Sequence, residues 1–142
     1  MPVYHPIDIG RKFDCVYSEL LDLRWTLESL VAYFHIPNDE TEVVRVTVPE
    51  PADGVSAHIL DDMVIGEFET SPHDGHVPHH FAYRIVGSGL DTSNTEIREQ
   101  THYQFVTGGM CLSLYVPAHR TISIEIVKRP DWLPWGKDRT PA

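Results

Sequence analysis

The sequence predicts an α+β domain, with one N-terminal amphipathic helix (about 18–36) packed on a largely antiparallel sheet of six or seven strands. Three observations lead there. Apolar residues recur at three- and four-residue steps between Leu20 and Phe34. Beyond Pro37 the apolar pattern changes to a period of two. The pair Gly108-Gly109 then separates two strand-like runs, as a tight hairpin requires.

Each element has a local reason. The first 14 residues hold Pro2, Pro6 and Gly10 and read as an extended arm or short strand. Ser18 is placed to cap the helix, with Glu19 in the first turn. Leu20, Leu23, Leu27, Leu30, Val31 and Phe34 form the stripe, widened by Leu21, Trp25 and Ala32. Pro37 ends it, because the residue before a proline is pushed out of the helical region. A turn at Asn38-Asp39-Glu40 follows.

Val44, Val46 and Val48 then share one strand face, with Arg45 and Thr47 on the other. Asp53-Gly54 marks a turn into a strand carrying Val55, Ala57 and Ile59. A further strand is expected from Met63 to Glu69, and another at Phe81, Tyr83 and Ile85. Thr101–Thr107 and Met110–Val116 flank the two glycines, whose tolerance of positive φ suits a two-residue turn. Ile122, Ile124 and Ile126 make the last strand. The expected organisation is a single domain, 1–127, with an N-terminal arm, and a tail, 128–142, carrying Trp132, Trp135 and three prolines. A hotdog-like arrangement or an open β-sandwich with one helix both fit this order.

Composition narrows the function. The 142 residues carry a formal charge of −10, which disfavours nucleic acid and anionic membrane surfaces as partners. Residues 39–74 hold ten acids and one base, so nearly all of the net charge sits in one quarter of the chain. The basic residues of 120–139 are interrupted by Asp131 and Asp138. No apolar run is long enough to cross a membrane, and Met1–Gly10 does not read as a secretory signal. Cys15 and Cys111 lie far apart without a CxxC partner, so both are expected as small buried hydrophobes in a reducing, cytoplasmic setting.

Histidine is the outlier, with nine residues. His73, His76, His79 and His80 crowd one Pro/Gly-containing loop and form the candidate metal site, with Asp74 as an oxygen donor. Their spacing matches no standard metal motif, and no cofactor is expected. The same residues also permit a pH response, since protonating all nine would nearly cancel the negative charge. His79, His80, His102 and His119 are the candidate acid/base or ligand groups if a pocket exists. Nucleophile elbows, phosphate loops and dinucleotide fingerprints are absent from the sequence.

These features favour a small, acidic, non-catalytic protein that acts through protein–protein contacts, either as an inhibitor or as part of an assembly, including a homo-oligomer. Asp39, Glu40, Glu42, Asp61 and Asp62 would steer the partner, and Trp132 and Trp135, or Tyr103, would anchor it. The alternative is a hotdog-like small-molecule-binding protein or enzyme using the clustered histidines, with a metal as one option.

Overall fold

The computed structural model describes residues 3–60, 74–86 and 100–133. Among these there are nine β-strands and one short 3-10 turn, Cys15–Tyr17. The strands are β1 (Val3–Pro6), β2 (Leu20–Trp25), β3 (Ser29–His35), β4 (Glu42–Pro49), β5 (Ser56–Leu60), β6 (Ala82–Val86), β7 (Gln100–Phe105), β8 (Cys111–Pro117) and β9 (Ser123–Lys128). They form two antiparallel sheets, one of five strands ordered β1-β6-β7-β8-β5 and one of four ordered β2-β3-β4-β9. The strand expected at Met63–Glu69 lies outside the described residues.

The expected helix at 18–36, and with it the α+β class, is corrected. That segment is an antiparallel hairpin, with Leu20 opposite Phe34 and Trp25 opposite Leu30. Its loop is Thr26-Leu27-Glu28, where the Thr26 hydroxyl accepts the N–H groups of Glu28 and Ser29 and donates to the Ser29 carbonyl. Leu27, central to the supposed stripe, is 84% exposed at the tip.

The misreading has a physical cause. Leu30, Ala32 and Phe34 point into the core, each 1% exposed or less. Val31 and Tyr33 point outward, but Leu133 packs over them with Val43 and Val127. With both faces of β3 covered, the polar alternation that marks a strand disappears, and helical spacing can be read from a continuous apolar run. Ser18 starts no helix but closes the 3-10 turn, its N–H donating to the Cys15 carbonyl, and its hydroxyl donates to the His35 carbonyl at 2.7 Å in the interior.

The two sheets share one core. Val44, Val46 and Val48 of β4 are buried against Leu112, Leu114 and Val116 of β8 within the same cluster, and Ile124 and Ile126 of β9 pack beside them. Aromatic rings tie the layers together. Phe34 from β3 meets Phe81 at 5.0 Å and Phe105 at 5.6 Å, both belonging to the five-stranded side.

The β7–β8 hairpin pairs as expected, from Thr101 opposite Val116 to Phe105 opposite Leu112. Its turn differs from the expectation. Neither Gly108 nor Gly109 has positive φ, and the loop spans five residues, Val106 to Met110. Thr107 organises it, its hydroxyl donating to the Met110 carbonyl at 2.6 Å. Gly108 is required for another reason: a Cβ there would lie 1.8 Å from the Val16 carbonyl oxygen. The 3-10 turn therefore seats directly on this loop, with Gly108 N–H donating to Ser18 O at 3.2 Å.

Two substitutions separate hairpin from helix. Phe34→Ala should cost about 3–5 kcal/mol by urea denaturation, as for a large buried aromatic. Leu27→Ala should cost less than about 0.5 kcal/mol, where a buried helical stripe would make it a core truncation of about 2–5 kcal/mol.

Candidate functional site

A concave groove lies between the N-terminal arm and the segment that leads into β6. Its volume is about 620 Å³. Its apolar lining comes from both segments, Ile7, Ile9 and Phe13 from the arm and Val77, Pro78 and Phe81 from the chain that faces it. The polar members are Asp8, Arg11, Lys12, Asp14, His79 and His80. That volume and that mixture suit a small-molecule site, for which about 300–1,000 Å³ is usual.

The arm is held in place at three levels. Ile7 N–H donates to the Ala82 carbonyl at 2.9 Å, and Cys15 N–H donates to His79 O at 3.1 Å. Phe13 packs on Phe81 at 5.2 Å. Arg11 reaches across to the β3–β4 turn, pairing with Asp39 at 2.5 Å and Glu42 at 3.1 Å. Asp39 also accepts the N–H groups of Thr41 and Glu42 and the Thr41 hydroxyl. Desolvation alone would raise its pKa, but the Arg11 guanidinium and these donors outweigh it and hold the carboxyl well below the usual carboxylate range.

The opposite wall is equally constrained. The Tyr83 ring is buried, and its hydroxyl donates to Val77 O at 2.7 Å while accepting Val77 N–H at 3.2 Å. Gly75 sits so close to β1 that a Cβ would meet the Tyr4 carbonyl oxygen at 1.9 Å. His79 occupies the left-handed region, φ 64°, which a side-chain-bearing residue adopts at a cost of about 1–2 kcal/mol. Its Nδ1 lies 3.1 Å from Asp14 Oδ1. His80 Nε2 lies 2.9 Å from Ile7 O, and since a carbonyl only accepts, that nitrogen carries the proton.

A second polar cluster occupies the other face of the five-stranded sheet. His102 Nε2 is 2.6 Å from Ser113 Oγ. The imidazole stacks on Tyr115 at 4.3 Å, and His58 meets the same tyrosine edge-on at 5.7 Å. His102 Nδ1 is buried and unpaired. Burial, with a smaller contribution from neighbouring His58, lowers the His102 pKa to about 4, so the ring is neutral near pH 7.

The predicted site residues separate. His79 and His80 both line the groove. His76 lies instead beside Tyr83, ring centroids 6.3 Å apart, and His73 is outside the described residues. No three metal-binding side chains converge among the described residues. His119 is exposed in the turn after β8 and joins neither the groove nor the ring contacts of the His102 cluster. Of the expected partner-steering acids, Asp39 and Glu42 are engaged by Arg11, Glu40 is exposed, and Asp61 and Asp62 lie outside the described residues. Trp132 stacks edge-on against Tyr33 at 5.4 Å with the Arg24 guanidinium 3.9 Å above its ring, and remains 49% exposed. Trp135 lies outside the described residues. Tyr103 is half-buried against the core.

The arm residues Ile7, Ile9, Arg11, Phe13 and Asp14 were missed as site-forming. The one available signal was the alternation Ile7, Ile9 followed by Phe13, which marks an arm with an apolar side. Both cysteines are buried free thiols. Among the described residues no helix is long and apolar enough to cross a membrane. Comparison with known protein families, curated proteins and solved structures finds no match for this chain.

His102 makes stability depend on pH in a defined window. The unfolded chain takes up the proton near pH 6.5, the folded chain only near pH 4. Stability should therefore fall as pH drops from about 6.5 toward 4, a range above the one in which Asp39 loses its contribution. Urea midpoints at pH 7.0 and 4.5 should differ, and His102→Gln should reduce that difference. An unchanged difference in the variant would assign the acid sensitivity elsewhere.

Proposed function

We propose that this chain is a binding protein for a small, largely apolar molecule held non-covalently in the groove between the arm and residues 77–82. One observation carries this reading: a cavity of about 620 Å³ combines an apolar wall with two of the histidines expected to serve as ligand groups. Its walls are fixed on both sides before any ligand arrives, by Arg11 on one and the Tyr83 hydroxyl on the other. Such preorganisation lowers the entropy lost on binding. The free buried thiols are consistent with a reducing, cytoplasmic compartment.

The protein-contact reading keeps support from a different place. Trp132 is a half-exposed aromatic held rigid by Tyr33 and Arg24 on the outer face of the four-stranded sheet. Aromatic residues positioned in this way are common energetic anchors. The acidic segment supports it less, because Arg11 and Arg120 engage Asp39, Glu42, Glu50 and Asp53 within the chain.

Saturation-transfer NMR with small aromatic fragments tests the groove. Val77→Trp should fill it and abolish fragment binding. Ile59→Trp, at the exposed edge strand β5, should leave binding unchanged. Equal loss in both variants, or in neither, would remove the groove as the binding site.

A further inference from the structure

The polar pattern of the groove selects among apolar ligands, and the inference drawn from it rests on the groove being a binding site. We infer that the groove takes an amphipathic primary amine, an ammonium group on an aromatic or aliphatic body.

The first observation is where lone pairs are left. Asp14 Oδ1 lies 3.1 Å from His79 Nδ1, and two bare acceptors at that distance would repel, so the proton of the neutral ring sits on Nδ1. Nε2 of His79 is then a bare acceptor. His80 donates from Nε2 to the Ile7 carbonyl, so its Nδ1 is bare as well. Two adjacent residues of the lining thus each leave one nitrogen lone pair, and each tautomer is set by a partner within the chain. Asp8 adds a third acceptor, since its Oδ1 takes the Gly10 N–H at 2.8 Å and Oδ2 is left over.

The second observation is charge. The Arg11 guanidinium in the lining is already matched by Asp39 and Glu42. That leaves Asp8 and Asp14 against Lys12 alone, so the groove and its ion-pair partners are net negative. A carboxylate or phosphate would meet this potential unfavourably, whereas an ammonium meets acceptors and charge of the right sign. The third observation is the apolar lining of Ile7, Ile9, Phe13 and Val77, which suits the aromatic or aliphatic body of such a molecule.

Three probes that share one body isolate the head group: 2-phenylethylamine, 2-phenylethanol and 3-phenylpropionate, titrated by calorimetry at pH 7.5 in low salt. The amine should bind at least about tenfold more tightly than the alcohol, with the acid weakest, a margin that corresponds to one favourable charge interaction. The preference should shrink in 0.3 M salt, because added ions screen the attraction of the exposed carboxylates. Asp8→Asn, at an exposed position, should reduce amine binding several-fold and alcohol binding by less, so that the preference for the amine narrows. Equal binding of amine and alcohol, or tightest binding of the acid, would overturn the amine inference while leaving the groove as a site. Absence of binding by all three would overturn the groove reading, and this inference with it.

Discussion

The Arg11 guanidinium is the contact on which the candidate site depends. It joins the N-terminal arm to the β3–β4 turn through two carboxylates, Asp39 and Glu42. The pair with Asp39 is the better supported, because the same carboxylate also receives two backbone N–H groups and the Thr41 hydroxyl. An isolated surface ion pair contributes little, but a networked, geometrically fixed one can hold a segment in register. Without it, the arm beyond Ile7 would rest on Phe13 and a few backbone bonds. The groove would then lose the side that makes it concave.

Behind the groove stands the packing of the two sheets. Phe81 is the shared element, touching Phe34 of the four-stranded sheet, Phe105 of the five-stranded sheet and Phe13 of the arm. The core that holds the fold together therefore also forms the groove's floor. Two glycines allow the surrounding loops to close on it. Gly75 permits the 74–80 loop to touch β1, and Gly108 permits the 3-10 turn to touch the β7–β8 loop. Neither close approach is visible in a sequence, because it depends on a backbone remote along the chain.

Strand-forming segments with one wet face were legible. Val44, Val46 and Val48 alternate with Arg45 and Thr47, and the buried side is the one the pattern names. The last strand was legible for the same reason, and the β7–β8 pairing from the two glycines between its arms. The segment 18–36 was not, since Leu133 and the outer side chains remove the polar face of β3. Of the site, His79 and His80 could be named from their crowding, while their grouping with Arg11 and Asp14 could not. That grouping arises from tertiary pairing of β1 with β6, which brings residues 6–14 alongside 77–82. The acidic bias of 39–74 was visible, but part of it serves internal ion pairs rather than a partner.

The central claim is that the arm and residues 77–82 together form a ligand site. Amide chemical-shift mapping on titration with 2-phenylethylamine tests it most directly. Shifts concentrated at Ile7–Asp14 and Val77–Ala82, and weakened in Arg11→Met, are the expected result. Shifts centred on Tyr33 and Trp132, or on His58 and Tyr115, would contradict it and move the site to one of the sheet faces.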